Sequence, residues 1–396
     1  MEPKIRFIGH KSNWSVVALD KVTTARNASN ALVNNRNLLS LSYGKIVNKD
    51  IDSNKGLLPS SFSTYQIIEP DTIVFRGTDL QNDKRSLRVA ISKQKGIISP
   101  AYVTMDVTDE NILPDYLYLA MHWHDVAKKS YYKMGDGLRQ TLPYSVLKEL
   151  EIPFPNKSEQ QGIIAYFQKF DAKLQASAKK VESLKKLKSA SLVAMFPQQG
   201  ETTPKVRFKG FEGEWDKQSA SDLFLTIDER NRPELPVLSA CQDVRGMIPR
   251  DKIGFNISHD TSNEVTYKRV QPGQFVIHLR SFQGGFAHSS YDGIISPAYT
   301  VFDFKNKEQH DDYYWKIVFM SRSFIERLRL ITYGIRDGRS ISFNEFKELS
   351  FLFPSKEEQQ SIATFFRSLD RKIALETARL EKLKQIKLAC LDKMFV

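Results

Sequence analysis

The sequence contains an internal duplication, and this feature constrains its fold more than any other. The segment PKIRFIGHKSNW at 3–14 recurs as PKVRFKGFEGEW at 204–215, and GIISPAY stands unchanged at 96–102 and at 293–299. Further matching blocks follow in the same order in both halves, always about 200 residues apart. Because that period is far too long for a solenoid repeat, the pattern indicates a tandem duplication of one module.

The front of each module is predicted to be mixed α+β. Short β-rich runs that follow turn residues predict strands at 72–75 and 274–279. The stretch 97–105 predicts two strand pieces broken at Ser-Pro, since proline in a sheet is tolerated only at an edge or a bend. Helical periodicity predicts helices at 115–130 and 311–331.

The tail of each module is predicted to be one long helix. Residues 158–196 and 357–395 contain no proline and one glycine, Gly162, and are rich in strong helix formers. Each tail would span roughly 58 Å at about 1.5 Å per residue. Two such helices most simply pack on each other as a coiled coil; the alternative is that each packs on its own head. Apolar residues recur at the same steps in both tails and approximate a heptad seam, with one polar layer at Ser177 or Glu376. The seam residues are Ile163, Phe167, Phe170, Leu174, Val181, Leu184 and Leu187 in the first tail, and Ile362, Phe366, Leu369, Ile373, Leu380, Leu383 and Ile386 in the second.

The repeat divides the chain into two heads and two helices. The spacing of the repeated blocks places five extra residues in the first head, within the polar and basic stretch 78–88, whereas its counterpart around 280–285 is shorter and Gly-rich. This difference indicates either that the heads read different targets or that a surface loop has drifted. The predicted segments are the first head at 1–155, the first helix at 156–197, the second head at 198–354 and the second helix at 355–396.

The charge balance favours an anionic partner. The 396 residues include 58 Lys and Arg against 46 Asp and Glu, a formal net charge of +12. Such an excess favours nucleic acid ahead of a membrane surface. Two cysteines, Cys241 and Cys390, are too few for a disulfide framework. The first residues lack the apolar core of a signal peptide and no run of about 18 apolar residues exists, so we expect a cytoplasmic protein.

The sequence carries no motif of an active site. A G-x-x-x-x-G-K-[ST] phosphate loop, a G-x-S-x-G elbow and an H-E-x-x-H metal site are all absent. His122, His124 and Asp125 have a metal-like composition, but residues two apart do not share a helix face, and the second module has no matching pair. We therefore expect no catalytic residue and no metal site.

Binding chemistry remains, and it lies in the heads. Arg and Lys stand there beside aromatic and amide side chains, which are the residue types that bind phosphates and base edges. The loops 134–139 and 333–339 occupy matching places after a helix, and their glycines permit close approach to a ligand; the alternative is an ordinary glycine C-cap. The candidate DNA-binding residues are Arg76, Gln81, Asn82, Lys84, Arg85, Arg88, Tyr132, Lys133 and Arg139 in the first head, and Arg280, Gln283, Tyr333, Arg336 and Arg339 in the second.

These features together resemble the specificity subunit of type I restriction–modification enzymes. The resemblance is carried by the duplicated Arg-Phe-x-Gly…Trp opening, by Pro-x-x-x-Glu-Gln-x-x-Ile at 155–163 and 354–362, and by the two Lys-rich tails. No single motif is specific alone, but the ordered double set covers essentially the whole chain.

The resemblance implies a DNA-reading subunit without chemistry of its own. The heads would be two target recognition domains, each reading one half of an interrupted DNA sequence, and the helices would pair antiparallel as a ruler between them. The partners would be double-stranded DNA, two methyltransferase subunits that use S-adenosylmethionine, and restriction subunits that use ATP and magnesium. No cofactor would be bound by this chain.

Three rival functions stay open at this point. The chain could serve a related type II system with a fused methyltransferase–nuclease, or act as a coiled-coil scaffold that binds protein. A stand-alone nuclease is the third, although neither head shows a paired carboxylate constellation.

Overall fold

The duplication of the sequence is also a duplication of structure. The computed structural model describes residues 2–52, 58–80, 87–134, 141–198, 200–241, 246–252, 261–278, 285–331 and 341–395. The chain forms two compact units, the first made of Met1–Lys179 with Thr377–Val396 and the second of Lys180–Glu376. Each unit therefore combines one head with a part of both long helices, which confirms an α+β fold of tandem heads and long helices.

Within the described residues, the first unit contains ten short strands and three short α-helices, and α4 begins in it. The strands are β1 (Ser15–Ala18), β2 (Thr23–Ala25), β3 (Leu39–Ser42), β4 (Lys45–Asn48), β5 (Gln66–Ile68), β6 (Ile73–Phe75), β7 (Val89–Ile91), β8 (Gly96–Ile98), β9 (Val103–Val107) and β10 (Glu151–Phe154). The helices are α1 (Pro114–Val126), α2 (Tyr131–Met134), α3 (Tyr144–Leu147) and α4 (Lys157–Ala194).

The second unit repeats this order. Its strands are β11 (Asp216–Ser219), β12 (Phe224–Ile227), β13 (Leu238–Cys241), β14 (Gly246–Pro249), β15 (Lys268–Val270), β16 (Phe275–Ile277), β17 (Phe286–Ser289), β18 (Gly293–Ile295), β19 (Thr300–Phe304) and β20 (Ser350–Phe353). Its helices are α5 (Ala220–Leu223), α6 (Asp312–Met320), α7 (Arg322–Ile331), α8 (Phe343–Lys347) and α9 (Lys356–Met394).

The two heads share one sheet topology. The first contains a four-stranded antiparallel sheet of order β2-β9-β6-β7, with β1-β10, β3-β4 and β5-β8 as separate pairs. The second contains the equivalent β12-β19-β16-β17, again with separate pairs β11-β20 and β15-β18. There the remaining hairpin joins the main sheet, because β14 pairs in parallel with β17 and extends it to six strands.

The repeated glycine of GIISPAY has a steric cause. Gly96 and Gly293 begin β8 and β18, and a Cβ added to them would lie 2.6 Å from the carbonyl oxygen of Asn37 and 2.5 Å from that of Pro236. No side chain fits so close to backbone, so only glycine allows these strands to approach the preceding loop.

Predicted helix 311–331 is wrong in one respect, because it is two helices. α6 ends at Met320 and α7 begins at Arg322, with Ser321 extended between them at φ −67° and ψ 147°. The Ser321 hydroxyl accepts the N–H of Phe324 at 3.2 Å and so caps α7. The apolar periodicity of the sequence continues through Ser321, so it does not indicate where the first helix ends.

The end of a long helix completes each head. Phe395, just after α9, packs edge-on against Trp14 in the first unit at a centroid distance of 6.1 Å. Phe196, just after α4, packs in the same way against Trp215 in the second unit at 6.0 Å. The repeated Trp and Met-Phe blocks of the sequence therefore meet in equivalent aromatic cores.

An ion pair with a buried glutamate fixes the start of each long helix to the opening of its module. Arg6 donates to both carboxylate oxygens of Glu159 at 2.7 and 2.8 Å, and Glu159 is 1% exposed. Arg207 and Glu358 repeat the pair at 2.9 and 2.6 Å. These bidentate contacts account for the spacing between the Arg-Phe and Glu-Gln blocks.

The glutamine that follows each of these glutamates forms hydrogen bonds with the backbone of its own head. The Gln160 carbonyl oxygen accepts the N–H of Leu113 at 2.9 Å, and its amide donates to the carbonyl of Pro155. Gln359 repeats this with the N–H of Asp311 at 3.0 Å. Both glutamines are fully buried, so the repeated Glu-Gln pair is structural.

In the first unit the long helices run antiparallel. The Tyr166 hydroxyl and the Cys390 sulfur lie 3.3 Å apart, and Lys387 Nζ donates to Asp171 Oδ1 at 2.5 Å. The partner numbers fall along α9 as they rise along α4, which is the antiparallel order.

In the second unit the same order holds. Lys180 pairs with Glu376, and Lys188 Nζ donates to Asp370 Oδ1 at 2.5 Å. The predicted pairing of the two helices is thereby confirmed. No helix within the described ranges is long and apolar enough to cross a membrane.

All predicted seam residues are buried or partly buried except the last one on each helix. Leu187 and Ile386 are 50% and 40% exposed, and the neighbouring Lys188 and Lys387 face the other helix instead through their carboxylate partners. Ser177 is buried, as expected for a polar layer. Ile163, Phe167, Val181, Ile362, Phe366 and Leu369 are buried, and Phe170, Leu174, Leu184, Ile373, Leu380 and Leu383 are partly buried.

Candidate nucleic-acid interface

The flanks of the two predicted reading loops meet in the first head. The N–H of Leu142 donates to the carbonyl of Gly77 at 2.7 Å. A Cβ at Gly77 would lie 2.2 Å from the Leu142 carbonyl oxygen, so glycine is required for this approach. Gly77 and Leu142, which flank the two predicted loops, are therefore adjacent.

Arg88 is buried, whereas the sequence analysis counts it among the residues that contact DNA. Its side chain is fully buried, and its guanidinium donates to the carbonyl oxygens of Arg76, Thr78 and Asp79 at 3.2, 2.7 and 3.1 Å. Its backbone N–H donates to Asp125 Oδ2 at 2.6 Å. A planar fork of donors suits this task, and the side chain shapes the loop base from beneath.

A basic and aromatic cluster lies beside this loop base. Tyr132 is partly exposed, and Lys129 Nζ lies 5.9 Å from its ring centroid. Lys128 Nζ lies 5.0 Å from the Trp123 ring, and Lys133 is exposed. Such a grouping suits phosphate contact with ring stacking. The sequence analysis named Tyr132 and Lys133, and the structure places Lys128 and Lys129, which follow α1, in the same group.

Arg76 is also at the loop base. Its side chain is 26% exposed, and its Nη2 lies 3.7 Å from Asp79 Oδ2.

The histidine cluster of α1 serves the fold. His124 contacts Ser130 Oγ with Nδ1 at 2.9 Å and the carbonyl of Glu151 with Nε2 at 3.0 Å. Burial lowers the pKa of His122 and of His124 to about 4, and raises the pKa of Asp125 to about 6. Within the part of the chain that the structure describes, no three His, Cys, Asp or Glu side chains are grouped to hold a metal.

The loop flanks of the second head also lie together. The N–H of His278 donates to the carbonyl of Gly285 at 2.7 Å and closes the base of one loop. Phe286, next in the chain, packs on Phe324 of α7 at 5.0 Å and on Phe346 of α8 at 5.2 Å. These two helices flank the other predicted loop.

Most of the named contact residues stay predictions. They belong to loops whose flanks are described above, but the residues themselves lie outside the described ranges. They are Gln81, Asn82, Lys84, Arg85, Arg139, Arg280, Gln283, Tyr333, Arg336 and Arg339.

The excess of positive over negative charge lies mainly in the two long-helix segments, and the second head has none. Segments 156–197 and 355–396 carry 17 Lys and Arg against nine Asp and Glu. The first head carries 20 against 16, and the second carries 21 of each. The second head therefore has no excess of positive charge to attract an anionic partner.

Comparison with known proteins agrees with the two-module architecture. The protein family described as the type I restriction modification DNA specificity domain matches residues 12–186 and again residues 214–385. No curated protein matches the sequence significantly.

Two solved structures resemble the whole chain. The crystal structure of a type I restriction-modification system S subunit from M. genitalium has a TM-score of 0.59 at 16% identity, over 100% of this chain and 99% of that one. A structure on complex assembly and conformational transition of the type I R-M system has a TM-score of 0.55 at 16% identity, over 97% and 98%. At this identity the likeness shows a shared fold. Since the family match covers most of both modules, the chain belongs to the type I restriction modification DNA specificity family and carries two such domains in tandem.

Proposed function

We propose that the chain is the sequence-specific DNA-binding subunit that directs methylation and restriction to a bipartite, interrupted site. Each head reads one half-site. The observation that carries the proposal is the tandem match to a DNA specificity domain, one copy per head. The meeting of two loop bases on each head supports it, because paired loops can reach base edges while the sheet stays rigid.

The two half-sites are proposed to differ. The first head has the longer polar loop and an excess of four positive charges, whereas the second has the shorter loop and no excess. Heads that differ in these contacts favour different bases, so the motif is expected not to be a palindrome.

The chemistry is assigned to partners. Two methyltransferase subunits would supply S-adenosylmethionine, and restriction subunits would supply ATP and magnesium, so that this chain binds no cofactor and catalyses no step. Family membership supports this assignment. The complex would act in the cytoplasm, on the DNA.

A related type II arrangement is the nearest alternative, and the genes beside this one separate the two. A protein-binding scaffold is the other alternative. Its DNA affinity would be low, and it would not fall steeply with added salt as phosphate binding does.

Methylation mapping tests the proposal. The chain is expressed with its neighbouring methyltransferase in a host without other methylation, and modified bases are read by long-read sequencing. One interrupted motif, methylated on both strands, is expected. A soluble, bound partner with no methylated motif would contradict the proposal and favour the scaffold.

A further inference from the structure

The duplication allows one site of the first unit to be compared with its filled copy in the second. The N–H groups of Leu113 and Asp311 bind Gln160 and Gln359 in the same way, so these two positions are equivalent. Two residues further on, Asp115 of α1 therefore corresponds to Tyr313 of α6. This pair of positions faces the long helix in each unit.

In the second unit Tyr313 fills the space between α6 and α9. Its hydroxyl donates to Asp370 Oδ2 at 2.9 Å, while Asp370 Oδ1 accepts from Lys188. The Arg367 guanidinium lies 4.6 Å from the ring centroid and Lys316 Nζ lies 5.1 Å from it. The aromatic ring, the carboxylate and the three cations form one cluster.

The first unit keeps the carboxylate but carries Asp115 where the second unit carries Tyr313. Asp171 corresponds to Asp370, and its Oδ1 likewise accepts from a lysine, Lys387. From the described residues no second hydrogen bond reaches Asp171, whose side chain is 46% exposed. Asp115 instead pairs with Lys93 at 2.7 Å.

A cleft of about 360 Å³ occupies this place in the first unit. Its apolar side chains include Ile46, Ile91, Leu119 and Phe167. The lining also holds the ring of Tyr118 and the charged side chains of Lys45, Lys93, Asp115 and Asp171. The cleft thus offers apolar side chains next to a carboxylate oxygen, and in the other copy the equivalent carboxylate accepts a hydrogen bond from Tyr313.

We propose that this cleft binds a tyrosine side chain presented by a protein partner, with the tyrosine hydroxyl donating to Asp171. The occupant follows from the chain's own second copy, where a tyrosine fills the equivalent space. Tyrosine is also enriched at protein interfaces, since its ring is apolar and its hydroxyl finds a polar partner. This site is independent of the DNA-reading role proposed above.

Titration with a capped amino acid tests the site on the full chain. N-acetyl-L-tyrosinamide is added while the methyl NMR signals of Ile46, Ile91 and Ile164, which line the cleft, are followed. These signals are expected to shift with a Kd of about 1 mM, and N-acetyl-L-phenylalaninamide is expected to bind about tenfold more weakly because it lacks the hydroxyl. Equal binding of the two amides, or no shift, would overturn the proposal. Tighter binding of free tyrosine than of the capped amide would indicate a small-molecule site and would also overturn it.

A grafted variant provides the matched control. Asp115→Tyr with Gln168→Arg copies Tyr313 and Arg367 into the first unit and should fill the cleft, so that N-acetyl-L-tyrosinamide binds at least tenfold more weakly. Glu149→Tyr places a tyrosine on an exposed position elsewhere and should leave the affinity unchanged. Undiminished binding to a folded graft, shown by an unchanged melting temperature, would refute the site.

Discussion

At the residue scale, the most informative side chain is Arg88, because its sequence context and its place in the structure disagree. It belongs to a polar, basic insertion, which favours an exposed position, yet it is fully buried below the loop base. Sequence patterns do not show which arginine of such a stretch turns inward. That depends on where the carbonyls of 76–79 converge.

Replacing Arg88 should therefore destabilise the first head. Arg88→Ala removes the buried donor to three carbonyl groups of the loop base and is expected to cost about 2–4 kcal/mol of unfolding free energy. Urea unfolding measures the loss, and Lys133→Ala, at an exposed residue of the same head, serves as the control. Equal stability of Arg88→Ala and the wild type would show that the loop base does not depend on this side chain.

The Lys-Lys pair after α1 should act through phosphates. Lys129→Ala is expected to weaken binding to all duplexes alike and to lower the slope of log K against log salt by about 0.9 per lost contact. Fluorescence anisotropy at several salt concentrations measures the slope. A loss confined to one DNA sequence would instead assign Lys129 to base recognition.

The buried histidines make the fold acid-sensitive. His122 and His124 have pKa values of about 4 in the folded chain because burial disfavours their charge, against about 6.5 when unfolded. The unfolded chain then binds more protons between these values, so stability falls as the pH drops from about 6.5 to 4. Asp125, whose pKa is raised to about 6, opposes part of this loss.

Removing one histidine should flatten that dependence. His122→Phe keeps the stacking on Tyr118 and is expected to reduce the stability lost between pH 7 and pH 5 by about 2 kcal/mol. Urea unfolding at the two pH values gives the difference. An unchanged loss would mean that His122 is not held neutral in the folded chain.

At the element scale, the two long helices were predictable because the absence of proline and the apolar steps are local properties. Their observed bounds, Lys157–Ala194 and Lys356–Met394, differ from the predicted ones by one or two residues. The break between α6 and α7 and the exposure of Leu187 and Ile386 were not predictable, since tertiary partners decide both. Pairs such as Lys188–Asp370 replace the apolar contact at the end of the seam.

The helix pairing should depend on its charge pairs. A double-mutant cycle on Asp171→Ala and Lys387→Ala is expected to show a coupling of about 1 kcal/mol, since Lys387 is only 19% exposed. The exposed pair Glu182–Lys186 on α4 should show a smaller coupling, because solvent screens it. Equal coupling in both cycles would mean that the interhelical pair adds nothing beyond a solvated contact.

At the scale of the whole molecule, the duplication assigns one DNA specificity domain to each head and places most of the excess charge in the helices. Repeated blocks revealed the architecture because they recur in the same order along the chain. The basic composition alone would have misplaced the charge, since the second head is neutral. Base contacts stay beyond sequence reasoning, because they depend on the geometry of each loop against the DNA.

The central claim is that each head reads its own half-site, and a chain with two identical heads tests it most directly. Residues 198–354 are replaced by a second copy of 1–155, and the hybrid is expressed with the same methyltransferase for methylation mapping. The predicted motif keeps an interruption, carries the first half-site in both parts and loses the second half-site. A motif that retains the original second half-site would contradict the account.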